Sequence, residues 1–329
     1  MITRRPLSSF VLLTIFIPMQ YHSASGGLSE LPMSAENGMV VSGHHLSSEI
    51  GIEILKNGGN AIDAAIAAQL VLNLVEPQSS GIGGGAFLLH YKAAARRVEA
   101  YDGRETAPRA ARADMFLTPR GKPLKHLDAV TGGKSVGVPG VLRLMEAAHR
   151  DHGKLEWSRL FRPAIILAAD GFKISPRLHR SIRIAKHLKD STLAQQYFFT
   201  PGGEPKPVGI LLTNPEFADT LRRIASGGAD QFYGGVIGRD IIRTVRSAPR
   251  NAGAIQLIDL TGYRAKKREA LCRNYRRWRI CTMPPPTSGG VTTLQILGIL
   301  ERFDLGSLKP GSVQAVHLIS EASRLAYAD

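Results

Sequence analysis

The stretch Leu74-Val75-Glu76-Pro77-Gln78-Ser79-Ser80-Gly81-Ile82-Gly83-Gly84-Gly85-Ala86-Phe87-Leu88-Leu89-His90-Tyr91 decides how the chain is read. Its centre fits G-x-G-x-x-A, the spacing of a dinucleotide-binding turn. That turn works only after a strand and before a helix, whose first amides meet the pyrophosphate. Here the order is reversed. Alanine-rich helical sequence runs into Glu76-Pro77, and the glycines open onto the apolar run 86–91, which reads as a buried strand. A dinucleotide fold is excluded, and an α/β (α+β) chain is expected.

Outward from that stretch the punctuation is clear. Upstream, Asn60 predicts a helix N-cap with Asp63 in the capping-box position, and Ala61, Ala64, Ala65, Ala68, Leu72 and Val75 give the helix a small-residue packing face. An earlier helix carries Leu46, Ile50, Ile54 and Leu55 and is stopped by Gly58-Gly59. Met39-Val40-Val41 predicts a strand before it. Downstream, residues 98–101 predict the hairpin partner of 86–91. Trp157, Leu160, Phe161, Ala164, Ile165 and Ala168 recur at helical spacing up to Gly171, with Pro163 expected to start a new helix. Residues 251–283 read as strands, ended by Pro284-Pro285-Pro286. Two helical patterns follow, over 294–303 and 313–327. No internal repeat is visible.

Composition narrows the class. The 329 residues are 43% hydrophobic and 21% charged, enough for a real core and incompatible with bulk disorder. Two cysteines exclude both a disulfide framework and a CxxC zinc site. At the N-terminus, Arg4 and Arg5 precede the apolar run 10–17, and Ser23-Ala24-Ser25 offers a cleavage point. This is the order of a secretory signal peptide over residues 1–25, followed by a mature region over 26–329. Thr3-Arg4-Arg5 hints at twin-arginine export. The expected location is periplasmic or secreted, with no membrane association after signal removal.

The net charge of +15 raises nucleic acid as a partner. Its strongest carrier is Arg264, Lys266, Lys267, Arg268, Arg273, Arg276, Arg277 and Arg279 interleaved with Tyr275 and Trp278. The same stretch reads as a hairpin with a basic face, and export argues against nucleic acid. Arg177, Arg180, Arg183, Lys186 and Lys189 read as the solvated face of a helix. Gly133-Lys134-Ser135-Val136-Gly137 matches G-x-S-x-G, yet no apolar strand leads into it as a nucleophile elbow requires. It also fails as a phosphate loop, because Asp128 stands where the first glycine belongs. For His44-His45 and His90 no completing shell is visible, so no metal is expected; a solvated turn and one cross-strand side chain are the simpler reading. With Arg276-Arg277 as a two-residue turn, Cys272 falls opposite Cys281 at a non-hydrogen-bonded position, about 4.5 Å apart at Cα. Oxidation is open there, since export would permit it and a register slip would prevent it.

Six segments taken in order resemble the gamma-glutamyltransferase (glutathione hydrolase) family. They are Gly58-Gly59-Asn60-Ala61-Ile62-Asp63-Ala64-Ala65; Pro77-Gln78-Ser79-Ser80-Gly81-Ile82-Gly83-Gly84-Gly85; Asp102-Gly103-Arg104-Glu105-Thr106-Ala107-Pro108; Gly137-Val138-Pro139-Gly140; Met283-Pro284-Pro285-Pro286-Thr287-Ser288-Gly289-Gly290; and Glu321-Ala322 continuing to Ala326-Tyr327-Ala328-Asp329. Ala86, and Arg277 in the hairpin turn, stand where relatives usually carry glycine.

The resemblance implies an N-terminal nucleophile hydrolase with an αββα sandwich, incomplete in this chain. It implies a precursor that cuts itself to expose a threonine, whose hydroxyl attacks a γ-glutamyl amide while its own amine serves as base. The glutamyl group then passes to water or an amino acid, without metal or organic cofactor. Expected partners are γ-glutamyl substrates such as glutathione and a small subunit from the same precursor. Because no Thr here lies in the family's Thr-Thr-His-x-Ser context, the nucleophile is expected beyond Asp329 and no catalytic residue within the chain. Thr292-Thr293 reads as structural. Arg104 is the expected substrate-binding residue, since a guanidinium fork suits the substrate's α-carboxylate. The proline-glycine segment at 283–290 is expected to shape a wall near the reaction centre. Alternatives are a cephalosporin-type or poly-γ-glutamate acylase of the same fold, or a non-catalytic protein that binds through its basic surface.

Overall fold

Asn60 fixes the first well-defined junction of the chain. Its side chain accepts from the backbone N–H groups of Ile62 and Asp63, and the Asp63 carboxylate accepts the Asn60 N–H at 3.0 Å, closing the capping box the sequence predicts. Asp63 also accepts from the N–H groups of Lys154 and Leu155, 91 and 92 residues away. One buried carboxylate thus starts a helix and pins a distant connection.

A computed structural model describes residues 34–329, of which Gly38–Asp329 form one compact unit. The expected signal peptide lies outside the described residues. The elements run α1 (His45–Lys56), α2 (Ala61–Val75), β1 (Ala86–Lys92), β2 (Arg97–Gly103), α3 (His126–Val130), α4 (Val141–His152), α5 (Trp157–Asp170), β3 (Phe172–Lys173), α6 (Pro176–Ile184) and α7 (Thr192–Phe198). There follow β4 (Leu211–Leu212), α8 (Pro215–Gly227), α9 (Asp230–Tyr233), α10 (Gly235–Arg246), α11 (Leu257–Gly262), β5 (Lys266–Glu269), β6 (Leu271–Tyr275), β7 (Trp278–Thr282), α12 (Gly289–Leu300) and α13 (Val313–Ala328).

The main sheet is antiparallel in the order β1-β2-β5; β3-β4 and β6-β7 are separate two-stranded pairs. In the first hairpin Leu88 faces Tyr101 and His90 faces Glu99. The period of two along a strand puts all four on one face, and α4 packs against this hairpin. The core lies in the helical layer, where Leu70, Val71, Leu142, Leu160, Phe161, Ala164 and Leu221 are buried completely. It is a mixed α/β architecture, as expected.

Four local expectations are corrected. Met39-Val40-Val41 forms no strand, since its backbone finds no ladder among the described residues, although Val40 packs onto Gly51. Pro163 starts no helix. It sits inside α5, which continues because Leu160, Phe161, Ala164 and Ala168 are all buried, offsetting an interior proline's cost of about 3 kcal/mol. The stretch 251–283 contains α11, started by a capping box between Gln256 and Asp259, before its strands begin. His44 is no solvated turn: it is buried, and its Nδ1 accepts the Leu46 N–H at 3.3 Å to cap α1.

Other readings agree with the structure. Gly81 to Gly85 link a helix to a strand. Ser135 donates to the carbonyls of Val130 and Gly132, so its hydroxyl is occupied and no strand leads into it. Thr293 donates to Gly289 O within the first turn of α12. Arg177, Arg180 and Arg183 line the exposed side of α6, opposite buried Leu178 and Ile182. Much of the basic stretch is committed internally: Arg268 pairs with Asp102 at 2.7 Å, Lys267 with Asp151 at 2.6 Å, and Arg273 lies 3.7 Å from Glu301. Cys272 does face Cys281, with Cα atoms 4.1 Å apart, and the two are bonded.

Candidate functional site

Arg104 leaves β2 directly after Gly103, and its backbone is held at both its N–H and its carbonyl. Asp102 Oδ1 accepts the Arg104 N–H at 3.0 Å, while Asp102 Oδ2 is gripped by Arg268 on β5. The Tyr263 hydroxyl donates to the Arg104 carbonyl at 2.6 Å. Burial, reinforced by the Asp102 and Glu105 charges, pushes this phenol up to about 12, so it stays a donor through neutral pH. Next, Thr106 and Val138 exchange backbone hydrogen bonds. Tyr263 and Arg268, about 160 positions away, thus help fix one arginine's main chain.

Glycines let these segments approach. A Cβ on Gly103 would lie 2.4 Å from Leu144 Cβ, and one on Gly140 would lie 2.2 Å from Gly103 O. Only hydrogen fits between α4 and the turn. Gly85 is equally tight, 2.7 Å from Gly103 O and 2.5 Å from Glu105 Oε2. Gly84 O accepts from the N–H groups of Gly140 and Val141, tying the glycine run to the start of α4.

The Arg104 side chain is half exposed and faces a cleft of about 630 Å³ lined by Gln69, Glu76, Ser79, Ser80, Gly84, Glu105 and Arg177, among others. Its Nη1 lies 3.2 Å from Glu105 Oε2, and its guanidinium carbon lies 5.8 Å above the Phe87 ring. Glu105 Oε2 is buried and makes no aligned hydrogen bond, so the pair leaves the arginine fork with free donors. On the opposite wall Arg177 pairs with buried Glu76 and donates to Ser79 Oγ at 3.1 Å. Gln69, Asn73 and Ser80 close a hydrogen-bonded triangle beneath the loop, with separations of 2.6–2.8 Å. The arrangement presents a rigidly mounted cation to a polar cleft, which suits a carboxylate.

Sequence reasoning singled out Arg104 and gave no role at this cleft to Arg177, Glu76 or Tyr263. Arg177 was counted within a solvated stripe, which its exposure supports; only the fold brings it within reach of Glu76, 101 positions earlier. The segment 283–290 is not among the residues lining this cleft.

The chain matches the family model described as gamma-glutamyltranspeptidase over residues 47–329. It is 39% identical to a glutathione hydrolase proenzyme of Bacillus subtilis (strain 168) over 294 residues, covering 89% of this chain and 49% of that protein. It is also 39% identical to an acylase ACY 1 proenzyme of Pseudomonas sp. (strain SE83), covering 91% and 54%. The chain therefore spans about half the length of the curated relatives it matches. The crystal structure of Helicobacter pylori gamma-glutamyltranspeptidase superposes with a TM-score of 0.86 at 36% identity, over 90% of this chain and 84% of that one. The rejected dinucleotide turn, the glycine-packed mounting of Arg104 and the hairpin order thus belong to one known architecture, and this chain is a member of the gamma-glutamyltranspeptidase family.

Proposed function

We propose that the complete protein is a γ-glutamyl acyltransferase and hydrolase, acting on γ-glutamyl amides such as glutathione, and that this chain supplies the pocket for the glutamyl head. The observation that carries the proposal is the mounting of Arg104: a fixed backbone, a half-exposed fork and a polar cleft. In this reading Arg104 receives the substrate α-carboxylate bidentately, and Arg177 adds positive potential across the cleft. Residues 26–329 form the large-subunit region, and the small subunit of the same precursor brings the nucleophilic threonine. The segment 283–290 shapes a wall near that reaction centre. The protein is exported with residues 1–25 as signal peptide, consistent with the disulfide between Cys272 and Cys281.

The test is turnover of a chromogenic γ-glutamyl anilide. The complete precursor is expected to process itself and release the anilide. The 329-residue chain alone is expected to give no rate above a heat-killed control. Turnover by the chain alone would contradict the assignment of the nucleophile, and an inactive, fully processed precursor would contradict the substrate class. The acylase relative supports a second reading, a glutaryl-type amide as substrate; faster turnover of a glutaryl anilide by the processed precursor would favour it.

A further inference from the structure

The most unusual cluster outside the cleft sits where the β1-β2 hairpin meets the end of α4. His90 and Glu99 are directly opposed across the hairpin, and His152, the last residue of α4, closes over them. Nitrogen atoms of the two imidazoles and a Glu99 oxygen all lie within 4.8 Å of one another. His152 Nε2 stands 2.7 Å from Glu99 Oε2, and the two imidazole rings have centroids 4.2 Å apart. The His152 and Glu99 side chains are only 10% and 15% exposed.

Each group is already aimed. Arg97 holds the other carboxylate oxygen, Glu99 Oε1, at 2.7 Å and leaves Oε2 turned toward His152. The backbone carbonyl of His152 accepts from Asn60 Nδ2, and Tyr101 Oη lies 2.9 Å from both His152 Nε2 and Asp151 Oδ2. The odd member is His90. Its Nδ1 is buried and has no hydrogen-bond partner among the described residues. A carboxylate–histidine pair needs no second imidazole beside it, and an orphaned ring nitrogen costs stability unless something uses it.

We propose that His90, Glu99 and His152 form a binding site for a divalent first-row transition ion, with Zn²⁺ the best suited. Two imidazoles and one carboxylate are borderline-soft donors that favour Zn²⁺ over Ca²⁺ or Mg²⁺, which prefer all-oxygen shells. Ligands about 2.0–2.1 Å from a tetrahedral ion sit roughly 3.4 Å from each other. The cluster spans that value, with one separation of 2.7 Å and none above 4.8 Å, so small side-chain rotations suffice. On binding, the proton shared by His152 Nε2 and Glu99 is released to solvent or moved to His152 Nδ1. Tyr101 keeps Asp151 as its acceptor. A water completes the shell. The ion would staple a hairpin to a helix end some 50 residues away. No reaction is assigned to it.

The metal-free 329-residue chain, titrated with ZnCl₂ at neutral pH, is the test. One equivalent should bind, raise the melting temperature, and be displaced by no millimolar excess of Mg²⁺ or Ca²⁺. His90→Ala removes no side-chain hydrogen bond among the described residues and should weaken Zn²⁺ at least tenfold, as should Glu99→Gln. His187→Ala, in an exposed ion pair elsewhere, should leave binding unchanged. Co²⁺ in place of Zn²⁺ should give tetrahedral visible absorption in the parent chain and lose it in His90→Ala. Absence of a stoichiometric site, equal binding by His90→Ala, or loss of binding on His45→Ala instead would overturn the proposal.

Discussion

The two sides of this molecule are finished to different degrees. On the helical side, α2, α4, α5 and α8 bury Leu70, Leu142, Phe161 and Leu221 completely. Elsewhere, Leu89 and Tyr91 of β1 are exposed, and α13 leaves Val313 88%, Tyr327 78% and Val316 53% exposed. Large apolar side chains left exposed along one helix mark a surface that something covers. Under the proposed function, the small subunit is the partner expected to cover it.

Mutations in the chain itself separate the two regions. Phe161→Ala should cost about 3–5 kcal/mol, because it opens a cavity among fully buried neighbours; urea unfolding measures it. Arg268→Ala should cost about 2–3 kcal/mol, since it strands the buried Asp102 carboxylate, reduced from a fully buried pair because Arg268 is about one-third exposed. Ile319→Ser, on the open face of α13, should stay within about 0.5 kcal/mol in this chain. A loss near that of Phe161→Ala would show that the open face is packed after all, and the contrast would fall.

A gentler probe is alkaline titration. Burial raises Tyr101, Tyr197, Tyr233 and Tyr263 above the ordinary phenol value, Tyr197 and Tyr263 to about 12. Their folded pKa values exceed the unfolded one, so the stability they contribute is complete below pH 10. It is lost as pH rises through 10 toward 12. Ultraviolet titration should show four of the eight tyrosines silent at pH 10.5, followed by cooperative unfolding. Smooth ionisation of all eight near pH 10 would mean the helical side is open to solvent.

Legibility in the sequence followed the range of the interactions. Asn60 with Asp63, the glycine stop at 58–59 and the hairpin that aligns Cys272 with Cys281 were readable because each depends on residues within ten positions. Pro163 misled because its local penalty is outweighed by burial against helices distant in sequence. Met39-Val40-Val41 misled because strand propensity has no force without a neighbouring ladder. At the proposed site, Arg104 was singled out from motif and substrate chemistry. Its mounting by Tyr263 and Arg268, about 160 positions away, and its companion Arg177 carried no local signal. The same is true of His152, 53 positions from Glu99, whose arrival beside His90 turns an unremarkable strand histidine into a cluster.

The central claim is that Arg104 binds the α-carboxylate of a γ-glutamyl substrate, and a double-change cycle tests it most directly. In the processed enzyme, kcat/KM is measured for a γ-glutamyl anilide and for its α-carboxamide counterpart, with Arg104 intact and with Arg104→Ala. Either change alone should cost on the order of 30- to 1,000-fold, about 2–4 kcal/mol. Arg104→Lys should recover only part, because a point charge lacks the fork. The account predicts that the second change adds little once the first is made. Two full, independent losses that multiply would contradict it.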